Sequence, residues 1–183
     1  MTAKPVIVSG LPGSGKSAVA EGLGVSLMAP VFAKDWLEAS LLESAVVTRG
    51  QLGMVGYSLL TTLARRQLEL GQTAILDGVA GLTPIRESWR TLCKEFQGDW
   101  FIIECICSDE RVHRERLVQR QRGIPGWPEL EWSEVERVRS YFIPWSEDRL
   151  VLDSMDSLDS NVSRAIAYVG SLAVNADPLD GAL

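Results

Sequence analysis

The residues best suited to chemistry in this chain are Gly10-Leu11-Pro12-Gly13-Ser14-Gly15-Lys16-Ser17, which read G-x-x-x-x-G-K-S. Glycines let a backbone curl until consecutive N–H groups point at one anion. A helix that begins at the lysine adds the positive end of its dipole. In that arrangement Lys16 reaches the β- and γ-phosphates of ATP, and the Ser17 hydroxyl ligates Mg²⁺. Gly10, Pro12, Gly13, Ser14 and Gly15 then form the phosphate cradle. Two acids extend the set. Asp35 follows Ala29-Pro30-Val31-Phe32-Ala33, read as a short second strand, where a carboxylate can orient an acceptor hydroxyl and take its proton. Asp77 ends Thr73-Ala74-Ile75-Leu76, where it holds Mg²⁺ directly or through water, or shares the base role.

These groups need a strand, a turn and a helix to position them. Val6-Ile7-Val8 leads straight into the loop, and Ala18 to Leu23 reads as an amphipathic helix leaving it. A rival pattern overlaps the loop, because Gly13 to Ala18 also fits the dinucleotide fingerprint G-x-G-x-x-A, with Asp35 about 20 residues on. That fingerprint opens directly off its strand. Here Gly10 holds that place, and Lys16 and Ser17 would have no role. For the two acids the bland readings are a helix cap at Trp36 for Asp35 and a turn before Gly78 for Asp77.

Further elements follow in order. Gly50 to Leu70 has helical spacing, with Leu52, Val55, Leu59, Leu60 and Leu63 as its expected inner face. Pro84 suits the first turn of a helix running to about Phe96. Trp100 to Cys107 is the longest strand candidate, and Ser108-Asp109 can cap the Arg-rich helix after it. Arg116 and Arg120 are four apart in that helix and should share a face, where guanidinium groups clamp a triphosphate or stack on adenine. Gly123 to Pro128 breaks the helix into a loop, with Trp127, Trp132 and Trp145 around it. A helix over Ser133 to Phe142, a strand at Leu150 to Leu152 and a last helix from Asn161 to Ala173 complete the chain. Alternation of short apolar strands with helices predicts an α/β domain with a mainly parallel sheet, whose ligands gather at the carboxyl ends of the strands.

Composition narrows the function classes. At 183 residues, with 46% hydrophobic and 23% charged residues, the chain reads as one soluble domain. No apolar run approaches the ~18 residues of a membrane helix, so no membrane partner is expected. Met1 to Lys4 leads directly into the first strand, which leaves no room for a signal peptide and implies the cytoplasm. Three cysteines and one histidine, His113, do not make a zinc spacing. A net charge of −6 argues against long nucleic acid. Neither N-K-x-D nor D-x-x-G occurs, which disfavours a GTPase.

Taken together, Gly10 to Ser17, Asp35, Leu76-Asp77-Gly78, Arg86, Glu115 to Arg120 and Tyr141 to Trp145 resemble the P-loop kinases of the chloramphenicol phosphotransferase, polynucleotide kinase and zeta-toxin-like group. The resemblance spans the chain to about Ala173. It implies a three-layer, nucleoside-kinase-like P-loop fold with a five-stranded parallel sheet over residues 1–174, a lid around 119–133 and a flexible tail at 175–183. It also implies ATP-dependent phosphorylation of a hydroxyl. Lys16 and Ser17 would serve ATP and Mg²⁺, Asp35 would be the acceptor-side base, and Arg116 and Arg120 would contact adenine and phosphates. Arg120 would thereby join Lys16 and Asp35 in catalysis, and Arg86 would sit near the acceptor. Polynucleotide kinases carry an arginine shortly after the base aspartate, and here Glu38 occupies that vicinity, which favours a small neutral or cationic acceptor. The competing readings are a nucleotide-sugar or polynucleotide 5′-hydroxyl kinase, and a non-catalytic ATP-binding regulatory module.

Overall fold

Val6, Ile7 and Val8 have no solvent exposure, because β1 (Pro5–Ser9) runs through the middle of a sheet covered on both faces. Side chains alternate across a strand. Val6 and Val8 therefore join one apolar cluster and Ile7 joins another. The computed structural model describes residues 3–45, 47–96 and 100–171.

The other strands are β2 (Val31–Ala33), β3 (Ala74–Asp77), β4 (Phe101–Ile106) and β5 (Leu150–Asp153). All pair in parallel, in the order β2-β3-β1-β4-β5. The helices are α1 (Lys16–Leu27), α2 (Lys34–Glu43), α3 (Met54–Glu69), α4 (Thr83–Glu95), α5 (Glu110–Gln119), α6 (Trp132–Tyr141) and α7 (Leu158–Ser171). On one face Val19, Ala20 and Leu23 of α1 pack with Ala165 and Val169 of α7. On the other, Leu60 and Ala64 of α3 meet Ile85 and Trp89 of α4. This is the expected three-layer α/β fold with a five-stranded parallel sheet.

Strand order settles the competition between the two glycine patterns. Strand β3 lies between β1 and β2, so Asp77 is in register with Val8 on one side and with Ala33 on the other. The acid that ends β3 thus stands between the phosphate loop and Asp35, at the carboxyl edge of the sheet.

Several boundaries differ from expectation. Helix α2 begins at Lys34, so Asp35 sits inside its first turn and the N-cap is Ala33. A capping role for Asp35 is thereby removed. A 3-10 turn at Arg49–Gln51 precedes α3, whose buried face is Tyr57, Leu60, Ala64 and Leu68. Val55, expected inside, is exposed, because Gly56 fits beneath Glu38 and turns the helix. Helix α5 stops at Gln119, leaving Arg120 and Arg122 in the loop that follows. Residues 172–183 lie outside the described part, so the end of the final helix near Ala173 and the tail at 175–183 do too. Among the described residues no helix is long and apolar enough to cross a membrane.

Candidate phosphoryl-transfer site

The loop from Gly10 to Gly15 is shaped by contacts that only glycine permits at two points. A Cβ on Gly10, at φ +144°, would lie 2.2 Å from the Cys105 carbonyl oxygen. A Cβ on Gly13, at φ +81°, would lie 2.9 Å from His113 Nε2. That histidine is a determinant the sequence did not flag. Its Nε2–H donates to the Pro12 carbonyl at 2.8 Å, and its ring meets Trp132 of α6 edge-on at 5.1 Å. Burial lowers the His113 pKa, with the Pro12 hydrogen bond acting in the opposite direction. Lys16 begins α1 and is buried beside Asp77.

Two cavities flank this loop. The larger, about 830 Å³, has Lys16, Asp35 and Asp77 in its wall, with Tyr57, Trp127 and Tyr141 as aromatic lining. The smaller, about 350 Å³, includes Ser14 and Gly15 of the loop, Arg116 and Asn161. Among the described residues four buried side-chain polar atoms have no hydrogen-bond partner: Ser14 Oγ, Asp77 Oδ1, Trp127 Nε1 and Asn161 Oδ1. Ser14 and Asn161 line the smaller cavity, Asp77 and Trp127 the larger. Unpaired buried polar groups are costly unless water or a ligand completes them, and all four of these belong to residues that line the two cavities.

Burial pushes the Asp77 carboxyl up, with Asp35 adding to the rise. Lys16 beside it, the hydrogen-bonded Ser17 hydroxyl and Arg120 oppose that shift. A buried carboxylate with one free oxygen next to a serine hydroxyl suits a hard cation such as Mg²⁺. Among the described residues there is no group of three His, Cys, Asp or Glu able to hold a metal unaided. A divalent ion here would draw its remaining ligands from water or from a bound phosphate.

Asp35 is ion-paired to Arg122 at 2.6 Å. Arg122 also receives Glu129, both at its backbone N–H and at Nε, and donates to the Pro128 carbonyl. It therefore ties the 120–131 loop to the acid after β2. Arg120 lies within electrostatic reach of Asp35 and Asp77.

The two arginines expected on one face part company. Arg116 donates to the Ser154 carbonyl at 2.6 Å, on the smaller cavity, while Arg120 lies past the helix end in extended backbone on the side of the acids. Arg86 is the main correction. It lines neither cavity; it is buried, stacks on Trp145 at 3.8 Å and donates to the carbonyls of Ala80, Ile143 and Pro144. Its guanidinium joins the segment after β3 to the Ile143–Pro144 segment. Glu38 is likewise buried, paired with Lys34 at 2.6 Å and accepting from Gly53 N–H at 2.8 Å. A neutralised, hydrogen-bonded carboxylate gives no reason to prefer a cationic acceptor.

The three tryptophans separate as well. Trp127 lines the larger cavity with Arg49 over its ring, Trp132 packs between His113 and Arg114, and Trp145 donates to Ser9 Oγ in the core. Cys93, Cys105 and Cys107 take part in no disulfide among the described residues.

Strand order and loop together define a three-layer P-loop α/β fold. No protein-family model matches the chain. A UPF0200 protein of Aeropyrum pernix is 29% identical over 148 residues, covering 73% of this chain and 74% of that protein. Among solved structures, a putative kinase from Chloroflexus aurantiacus matches with a TM-score of 0.72 at 20% identity, over 93% of this chain and 97% of that one. Kti12 of Chaetomium thermophilum, in complex with ADP-AlF3, gives 0.70 at 17% identity, over 91% and 97%. A gluconokinase from Sinorhizobium meliloti gives 0.68 at 19% identity, over 95% of each chain. At these identities the likeness is one of fold.

Proposed function

We propose that this chain is an ATP- and Mg²⁺-dependent phosphotransferase that moves the γ-phosphate to a hydroxyl of a small-molecule acceptor. The observation that carries this reading is the phosphate loop standing between two cavities. The smaller takes the nucleotide base, and the larger, which holds Asp35 and Asp77, takes the acceptor. The motif resemblance to the chloramphenicol phosphotransferase, polynucleotide kinase and zeta-toxin-like group supports it, as does the kinase fold.

In this reading Lys16 and the loop N–H groups hold the phosphates, and Arg120 neutralises charge that develops during transfer. Ser17 and Asp77 would hold Mg²⁺, which supplies charge neutralisation on the β- and γ-oxygens. Asp35 accepts a hydrogen bond from the acceptor hydroxyl and takes its proton as the new P–O bond forms and the bond from the γ-phosphorus to the β–γ bridging oxygen breaks, with ADP as the leaving group. For that, Arg122 must release or re-angle the carboxylate. The 120–131 loop acts as a lid that excludes water, which otherwise would be phosphorylated in place of the acceptor.

The test is ATP consumption by the purified protein against a pooled library of hydroxylated metabolites and antibiotics, with the Asp35→Ala variant alongside. Stimulation by one acceptor, lost in the variant, supports the reading. ATP binding without stimulation across the pool contradicts it and favours a regulatory module.

A further inference from the structure

The smaller cavity contains a polar group that phosphate chemistry leaves unused. Asn161, in the first turn of α7, is 3% exposed and lines that cavity. Its Nδ2 donates to the Asp153 carbonyl at 2.8 Å. A carbonyl oxygen only accepts, so the amide nitrogen must be the end that faces it. The other end, Oδ1, is then fixed as a hydrogen-bond acceptor, and it has no partner.

The surroundings say what kind of donor belongs there. Ala18, Val19 and Leu152 give the cavity apolar walls, and Arg116 stands at its edge, held by Ser154. Apolar walls with a guanidinium alongside suit the face of a flat heterocycle. Ser14 and Gly15 of the phosphate loop open onto the same space, so a base bound there would continue from phosphates bound on the loop. A volume of about 350 Å³ accommodates a purine.

We infer that Asn161 reads the base of the bound nucleotide, with Oδ1 accepting from the 6-amino group of adenine. This rests on the nucleotide-binding reading above. The residue selects against a base with a carbonyl oxygen at that position, because two acceptors would then face each other and neither would find a proton. A base with only hydrogen there is disfavoured less, since it leaves Oδ1 unpaired without adding repulsion.

Competition binding tests this, using displacement of fluorescent N-methylanthraniloyl-ATP by ATP, purine riboside triphosphate and inosine triphosphate. The wild-type chain is expected to bind ATP about tenfold more tightly than purine riboside triphosphate, with inosine triphosphate weaker still. In Asn161→Leu the first two should bind within about twofold of each other. Selectivity is a ratio taken within one protein, so a general loss of packing in the variant leaves it unchanged. Equal binding of all three by the wild type, or an undiminished ATP preference in Asn161→Leu, overturns the inference. Failure of the fluorescent nucleotide itself to bind is a different result, and it overturns the nucleotide-binding reading on which the inference stands.

Discussion

Arg122 and Asp35 are 87 positions apart in the chain, yet their side chains meet at 2.6 Å and join the loop after α5 to the acid after β2. The Arg122 side chain is 9% exposed, whereas Asp35 and Glu129 are more open at 36% and 43%. Solvent screens the pair in part, so its strength is well below that of a fully buried one. Removing it in Arg122→Ala should loosen residues 123–131 while leaving the sheet intact. Amide exchange in that loop is expected to quicken by about tenfold, with β1 and β3 unaffected. Unchanged exchange would mean that other contacts hold the loop.

Asp77 predicts an unusual separation of stability from activity. Burial raises its folded-state pKa above the unfolded value, so the ionised form is disfavoured by folding. The sign follows: stability falls as pH climbs from the unfolded pKa toward the folded one, and the loss persists at neutral pH. Asp77→Asn removes the buried charge. It should melt at a higher temperature than the wild type at pH 7 while losing Mg²⁺-dependent turnover. A lower melting temperature would show that attraction to Lys16 outweighs burial.

Arg86 tests structure against substrate contact. Its three backbone acceptors and the Trp145 face make Arg86→Ala a destabilising change of about 3 kcal/mol, at roughly 1 kcal/mol for each hydrogen bond lost. Chemical denaturation measures this. A variant as stable as the wild type, but with a raised acceptor KM, would return Arg86 to the acceptor site.

His113 links α6 to the phosphate loop through Trp132 and Pro12. His113→Leu deletes the donor and should raise the KM for ATP about tenfold, the value of one buried hydrogen bond. His113→Gln offers an amide N–H near the same point and should recover most of that loss. Because burial lowers the histidine's folded pKa, the unfolded chain takes up its proton first. Wild-type stability should therefore decline as pH falls below about 6.5, and both variants should lack that part of the decline.

What the sequence showed was whatever lies close together along it. The glycine-rich loop, the acid that ends β3, the acid just past β2 and the strand-helix alternation are local patterns, and the fold brings the loop and both acids to the carboxyl edge of the sheet. The Asp35–Arg122 pair was hidden because a loop must fold back across the sheet edge to make it. Glu38 misled for a related reason: Lys34, one turn earlier, neutralises it only once α2 exists. The inner face of α3 was placed correctly at Leu60, but Val55 is exposed, and Tyr57, Ala64 and Leu68 join Leu60 in the core. Arg86 was placed near the acceptor only through the family resemblance, whereas in the fold three backbone carbonyls and the Trp145 ring engage its guanidinium. Asn161 carried no motif, and its significance lies in one unpaired oxygen beside a cavity.

The fate of the γ-phosphate tests the central claim most directly. In a single turnover with γ-labelled ATP, Mg²⁺ and the acceptor found by screening, the label should appear on an organic phosphate monoester. It should do so in the wild type and fail to do so in Asp35→Asn, while both proteins bind ATP with similar affinity. Label released only as inorganic phosphate, at the same rate in both proteins, would contradict transfer to an acceptor and the role of Asp35 in it.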